Sequence, residues 1–60
     1  MSWALVTGAA ARGGAAIARA LHRAGVDVVL HHSPRSRAAA QSLSGELDTA
    51  RPGSTRAWEA

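Results

Sequence analysis

The sequence contains no cysteine, no lysine, no tyrosine and no phenylalanine. Each absence removes a class of chemistry. Without cysteine there is no disulfide framework and no thiolate metal site, a composition that fits a cytoplasmic protein. Without lysine the phosphate-loop pattern GxxxxGK[ST] cannot be completed. The only aromatic side chains of the Phe/Tyr/Trp type are Trp3 and Trp58, too few to interleave with basic residues as a base-stacking surface. No run of 18 apolar residues occurs, so no transmembrane helix is expected. The first 26 residues lack an acid and contain three arginines. That composition resembles a transit peptide, but the same residues fit the stronger pattern described below.

What is present is basic. Seven arginines stand against four acids in 60 residues, giving a net charge of +3. A high pI in a short chain raises the question of nucleic acid. The arginines, at positions 12, 19, 23, 35, 37, 51 and 56, form no run or stripe, and acids stand among the later ones. A nucleic-acid partner is therefore not expected. A chain of this size buries only about 60% of the surface its unfolded form exposes, so its stability is expected to be marginal.

Apolar patterning divides the chain into alternating elements. SWALVT, residues 2–7, reads as a short buried strand. Residues 13–24 read as a helix with Ile17, Ala18, Leu21 and Ala24 on one face and Arg19, His22 and Arg23 towards solvent. Gly25 suits the left-handed position after a helix. VDVVLHH, residues 26–32, is nearly continuous in apolar residues, as in a parallel strand covered on both faces. Ser33-Pro34 forms a helix-start signature, with Ser36 a rival cap. The second helix runs to about Ala50, with Ala39, Ala40, Leu43, Leu47 and Ala50 on its apolar side, and Pro52-Gly53 ends it. STRAWEA, residues 54–60, begins a third extended segment, with Trp3 and Trp58 expected to pack on the sheet. The order β-α-β-α-β predicts an α/β fold with a parallel sheet.

The turn between the first strand and helix carries the chemistry. LVTGAAARGGAAIA, residues 5–18, places Thr7, Gly8, Arg12, Gly13 and Gly14 where a helix N-terminus offers unpaired N–H groups and partial positive charge to an anion. Glycines there let the chain turn sharply and let a pyrophosphate approach the backbone. The strict GxGxxG pattern is not met, because position 10 is alanine. What stands is Thr7-Gly8-x-x-x-Arg12-x-Gly14.

This stretch resembles the cofactor turn of the short-chain dehydrogenase/reductase family, usually TGxxxGxG. The arginine at position 12 is similar to the TGxxxRxG form of the pteridine reductase branch. AIARALHRAGVDVVLHH resembles that branch's first helix and second strand, and the stretch from Arg37 to Arg56 its second helix and following loop. Two departures stand out. Gly13 replaces a usual Leu or Ile, which is expected to weaken helix packing, and Ser33-Pro34 looks like a one-residue insertion. The resemblance implies the N-terminal part of a Rossmann-type, doubly wound parallel sheet. Residues 1–60 would then be a partial dinucleotide-binding domain, cut in or just after its third strand.

The end of the second strand bears on cofactor choice. An Asp or Glu there binds the ribose 2′-hydroxyl of NAD. Here Leu30, His31, His32 and Ser33 hold no acid, and Asp27 lies at the far end of the strand. Arg12, His31, His32, Ser33, Arg35, Ser36 and Arg37 instead supply donors and positive charge for a 2′-phosphate. NADP is the expected cofactor. The alternative for Arg35 and Arg37 is that they are solvated residues at a helix start, where positive charge is unfavourable. The three histidines match no metal-site spacing. The family's Tyr-x-x-x-Lys proton-transfer pair is absent from this chain, so the resemblance implies a reductase parent, and not this segment, as the catalyst. A pteridine or carbonyl substrate is implied, with 3-oxoacyl or general carbonyl reduction as alternatives within the class and a homo-oligomeric parent. A non-catalytic nucleotide- or anion-binding mini-domain is the alternative outside it.

Overall fold

The computed structural model describes residues 2–60. Three strands and two helices alternate: β1 (Trp3–Thr7), α1 (Arg12–Arg23), β2 (Asp27–His32), a 3₁₀ turn (Pro34–Ser36), α2 (Arg37–Ala50) and β3 (Thr55–Glu59). The strands form one parallel sheet in the order β1-β2-β3, and each helix is the crossover that parallel pairing requires. The architecture is the expected β-α-β-α-β half of a Rossmann-type sheet.

The register sorts side chains by face. Ala4, Val28 and Thr55 align across the sheet, as do Val6, Leu30 and Ala57. These point towards the helices, and Val6, Val28 and Leu30 form the core with Ala9 and Ala18 and with Leu43 and Leu47 of α2. Alanine at positions 9 and 18, both fully buried, lets α1 lie close to the strands. The residues in between point the other way. Trp3, Leu5 and Trp58 are exposed there and Val29 is half-buried. Both helices pack on one face, joined by a bidentate contact from Arg19 of α1 to Glu46 of α2. Among the described residues nothing covers the second face. The nearly continuous apolar run within residues 26–32 predicts cover on both faces, and packing on the sheet is expected of the two tryptophans. Here Trp58 is 56% exposed, touching His31 with ring centroids 5.0 Å apart, and Trp3 carries the Arg56 guanidinium 5.8 Å from its ring centroid.

The helices also sit differently from their sequence pattern. α1 begins at Arg12 rather than Gly13, and its buried positions are Ala18 and His22, with Ala15 and Leu21 packed against the core. Ile17 is 56% exposed and Ala24 is exposed. The buried stripe is thus rotated by about one position from the expected one. His22, expected at the surface, is buried because its Nε2 finds Ser54 Oγ at 2.7 Å, and a buried polar group with a partner carries little penalty. In α2 the buried set is Ala40, Leu43 and Leu47, while Ala39 and Ala50 are exposed. The start of α2 divides the two cap candidates. Ser33 precedes the 3₁₀ turn with Pro34 at its first position, and Ser36 precedes the α-helix proper. Neither caps through its side chain; their hydroxyls are instead 3.3 Å apart.

At the far end of the sheet one side chain bridges several segments. Arg51, just past α2, donates to the His22 and Val26 carbonyls and to Asp27 Oδ1 at 3.0, 2.9 and 2.9 Å. This ties the end of α2 to the turn around Gly25, whose φ of 95° is the left-handed conformation expected after α1.

Candidate cofactor cleft

The carboxyl ends of β1 and β2 open onto a cleft of about 300 Å³ lined by Gly8, Ala10, Ala11, His31, His32, Ser33, Ser36 and Ala60. Open α/β sheets bind ligands at this edge. The sequence builds it in three steps.

First, β1 ends at Thr7 and the chain turns at Gly8, whose φ is +62°. A Cβ added to Gly8 would meet nothing within 4 Å, so the space beside this backbone is open to a ligand. The Gly8 carbonyl accepts from the Ala11 amide at 2.9 Å, and Ala9 N donates to the His31 carbonyl at 3.3 Å, which fixes the turn to β2.

Second, α1 starts directly from this turn. Its N-cap, Ala11, has no side-chain acceptor to offer, and no acid stands in the first turn. Helix N-termini carry orphan donors and partial positive charge, and here neither is met by the helix's own side chains. Gly14 sits beneath. A Cβ at Gly14 would run into the Gly8 carbonyl oxygen and lie 2.7 Å from its carbonyl carbon. Gly14 therefore allows helix and turn to touch, and Gly8 supplies the open cradle. Gly13 is exposed with open space around it, so its lack of a side chain leaves no hole in the core among the described residues.

Third, β2 delivers His31 and His32 to the cleft edge, pointing to opposite faces of the sheet. The ring of His31 lies on the open face against Trp58. His32 is buried on the helix face with Nδ1 2.9 Å from the Ser33 carbonyl. That carbonyl can only accept, so Nδ1 carries a proton. His22 faces Ser54, and the three histidines do not converge.

The structure thus brings Gly8, His31, His32, Ser33 and Ser36 onto one cleft. Thr7 is exposed at the end of β1, Arg12 is the exposed first residue of α1, and Arg35 is exposed in the 3₁₀ turn; these three do not line it. Arg37 departs from its expected role. Its Nε and Nη2 donate to both oxygens of Glu59 at 2.6 and 2.8 Å, so it is not a free phosphate donor. This pairing raises Arg37 further above the ordinary arginine value and holds the Glu59 carboxyl below the usual range, the hydrogen bond being the main cause in each case. The ion pairs account for Arg19, Arg37 and Arg51, and Arg56 lies over Trp3. Among the described residues Arg12, Arg23 and Arg35 have no acidic partner. Arg23 belongs to the far end of α1, which leaves Arg12 and Arg35 as the free cations near the cleft. Sequence reasoning did not single out Ala10, Ala11 and Ala60 as cleft residues. Alanine has no chemistry to mark it, and Ala60 arrives only because its amide donates to the His32 carbonyl at 2.8 Å.

The residues present fit a dinucleotide. The turn leaves a backbone approach open at Gly8, the helix start offers donors, and the far rim carries two hydroxyls and cationic neighbours. No helix among the described residues is long and apolar enough to cross a membrane.

Comparison with known proteins agrees with this geometry. No family model matches the chain. Pteridine reductase 1 of Leishmania tarentolae is 53% identical over 51 residues, which are 85% of this chain and 17% of that protein. The Thr7–Gly14 turn, the parallel strand order built on it and this identity together place the chain in the short-chain dehydrogenase/reductase family, similar to its pteridine reductase branch.

Proposed function

We propose that this chain carries the adenosine end of the cofactor site of an NADP(H)-dependent short-chain reductase. The observation that carries the reading is the distribution of charge around the cleft. No acid stands at the end of β2, where a 2′-hydroxyl would need one, while Arg12 and Arg35, which neighbour the cleft residues Ala11 and Ser36 in sequence, have no acidic partner among the described residues. In this reading the α1 N-terminus and the Gly8 backbone take the pyrophosphate. Ser33 and Ser36, with Arg35, take the 2′-phosphate through charge-assisted hydrogen bonds. The nicotinamide supplies or accepts the hydride when the cofactor is bound. The chain itself holds no tyrosine or lysine, so the family's proton-transfer pair belongs to other residues of a longer reductase, of which these 60 residues form the cofactor-binding opening. The relative is a pteridine reductase, and we propose a pteridine or related carbonyl compound as substrate.

The test is a comparison of two nucleotides by calorimetry at one salt concentration. Adenosine 2′,5′-bisphosphate should bind the chain about tenfold or more tightly than adenosine 5′-monophosphate, since a charge-assisted phosphate contact contributes about 1.5–3 kcal/mol. Arg35→Ala should remove most of that difference. Equal affinity for the two nucleotides would refute the reading.

A further inference from the structure

One arginine of the phosphate-facing segment is neutralised by an acid from a different strand. Arg37 directly follows Ser36, and Glu59 directly precedes Ala60; Ser36 and Ala60 both line the cleft. The Arg37–Glu59 pair therefore stands one residue behind the cleft wall on each side. It is bidentate, at 2.6 and 2.8 Å. It is also solvent-facing, with side chains 58% and 33% exposed, so core packing does not demand it. Arg37 is the first residue of α2, where the helix dipole disfavours a cation. An anion beside it is favourable, and the chain supplies its own.

We propose that Glu59 is a specificity-setting residue. By neutralising Arg37 it limits the preference of the cleft for 2′-phosphorylated over unphosphorylated nucleotides. The inference rests on the cofactor reading above. Its logic is that the Glu59 charge acts through space on the 2′-phosphate, the group that distinguishes the two nucleotides, whereas contacts to the shared adenosine and 5′-phosphate largely cancel in their ratio. With Glu59 in place, Arg35 and Arg12 are the working cations; without its charge, Arg37 joins them.

Glu59→Gln is the direct test, because it keeps the shape and one acceptor for Arg37 while removing the charge. The ratio of affinities for adenosine 2′,5′-bisphosphate and adenosine 5′-monophosphate should rise about three- to fivefold at low salt. The gain should shrink at about 0.5 M salt, as expected for a screened, solvent-facing charge. Arg37→Gln should lower the same ratio, since it leaves the Glu59 carboxylate uncompensated, and the double variant should return close to the starting value. An unchanged or lowered ratio in Glu59→Gln overturns the proposal while leaving the cofactor reading intact. If Glu59→Gln loses its circular-dichroism signature of folding, Arg37→Gln decides alone, and an unchanged or raised ratio there overturns it. If the unaltered chain shows no preference for the 2′-phosphate, the cofactor reading itself falls and this inference with it.

Discussion

Gly8 and Gly14 look alike in the motif and do opposite work. Gly8 needs its missing Cβ for conformation, since its φ is +62° and the space beside it is empty. Gly14 needs it for room, because a Cβ there would strike the Gly8 carbonyl. Their alanine variants should differ accordingly. Gly8→Ala should cost about 1–2 kcal/mol, the price of left-handed dihedrals for an L-residue. Gly14→Ala should cost about 2–3 kcal/mol, because backbone atoms must move and no rotamer relieves the clash. Urea denaturation of the two variants checks the order; a Gly14→Ala no less stable than Gly8→Ala would contradict the close approach. His22 shows the converse problem of reading residues singly. Its polar ring predicts exposure, and only the hydroxyl of Ser54, 32 positions away, makes burial acceptable.

Among the elements, α2 and the residue that follows it are tied to their neighbours by arginine–acid pairs: Arg19–Glu46 to α1, Arg37–Glu59 to β3 and, just past the helix, Arg51–Asp27 to β2. Glu46 and Glu59 are both held below the ordinary glutamate value of 4.5, chiefly by hydrogen bonds from Arg19 and Arg37; His32 adds to the effect at Glu59. Carboxyls with a depressed value in the folded state bind fewer protons there than in the unfolded chain. Their contribution to stability is therefore complete above the unfolded value and lost as the pH falls through the folded one. The stability these two carboxyls contribute should be complete above about pH 5 and decline below about 4.5, and Glu46→Gln should make that decline shallower. Both glutamates face solvent, so the effect is modest and weakens with salt. Thermal melts across that pH range measure it; an identical slope in Glu46→Gln would show that the pair contributes nothing. Element existence and order were legible from periodicity alone. The rotation of α1 was not, because Ile17 and Leu21 define a face only until a particular sheet is set beneath the helix.

Taken together, the molecule is a sheet with one dressed face. Val28 and Leu30 are fully buried under the helices, while Leu5 is 55% exposed on the other side. Leu30→Ala should therefore cost about 2–5 kcal/mol, whereas Leu5→Thr should stay within about 1 kcal/mol. Amide exchange offers the matching view. The slowest amides should lie in β2, the central strand of the three described, because central strands open last. Comparable losses in the two leucine variants would mean that the Leu5 face is covered in solution.

The sequence by itself determined the alternation of elements, the glycine turn at the end of β1 and the absence of an acid at the end of β2. These follow from local rules: side-chain period, backbone freedom at glycine, and residue type at a known offset from a turn. Only the tertiary structure decided that His22 is buried, that Arg37 belongs to Glu59 and that Arg12 and Arg35 have no acidic partner among the described residues. Pairing between residues 22 to 32 positions apart depends on which strand lies beside which helix and in what register. No local pattern encodes that, because the partner is supplied by folding and not by neighbouring residues.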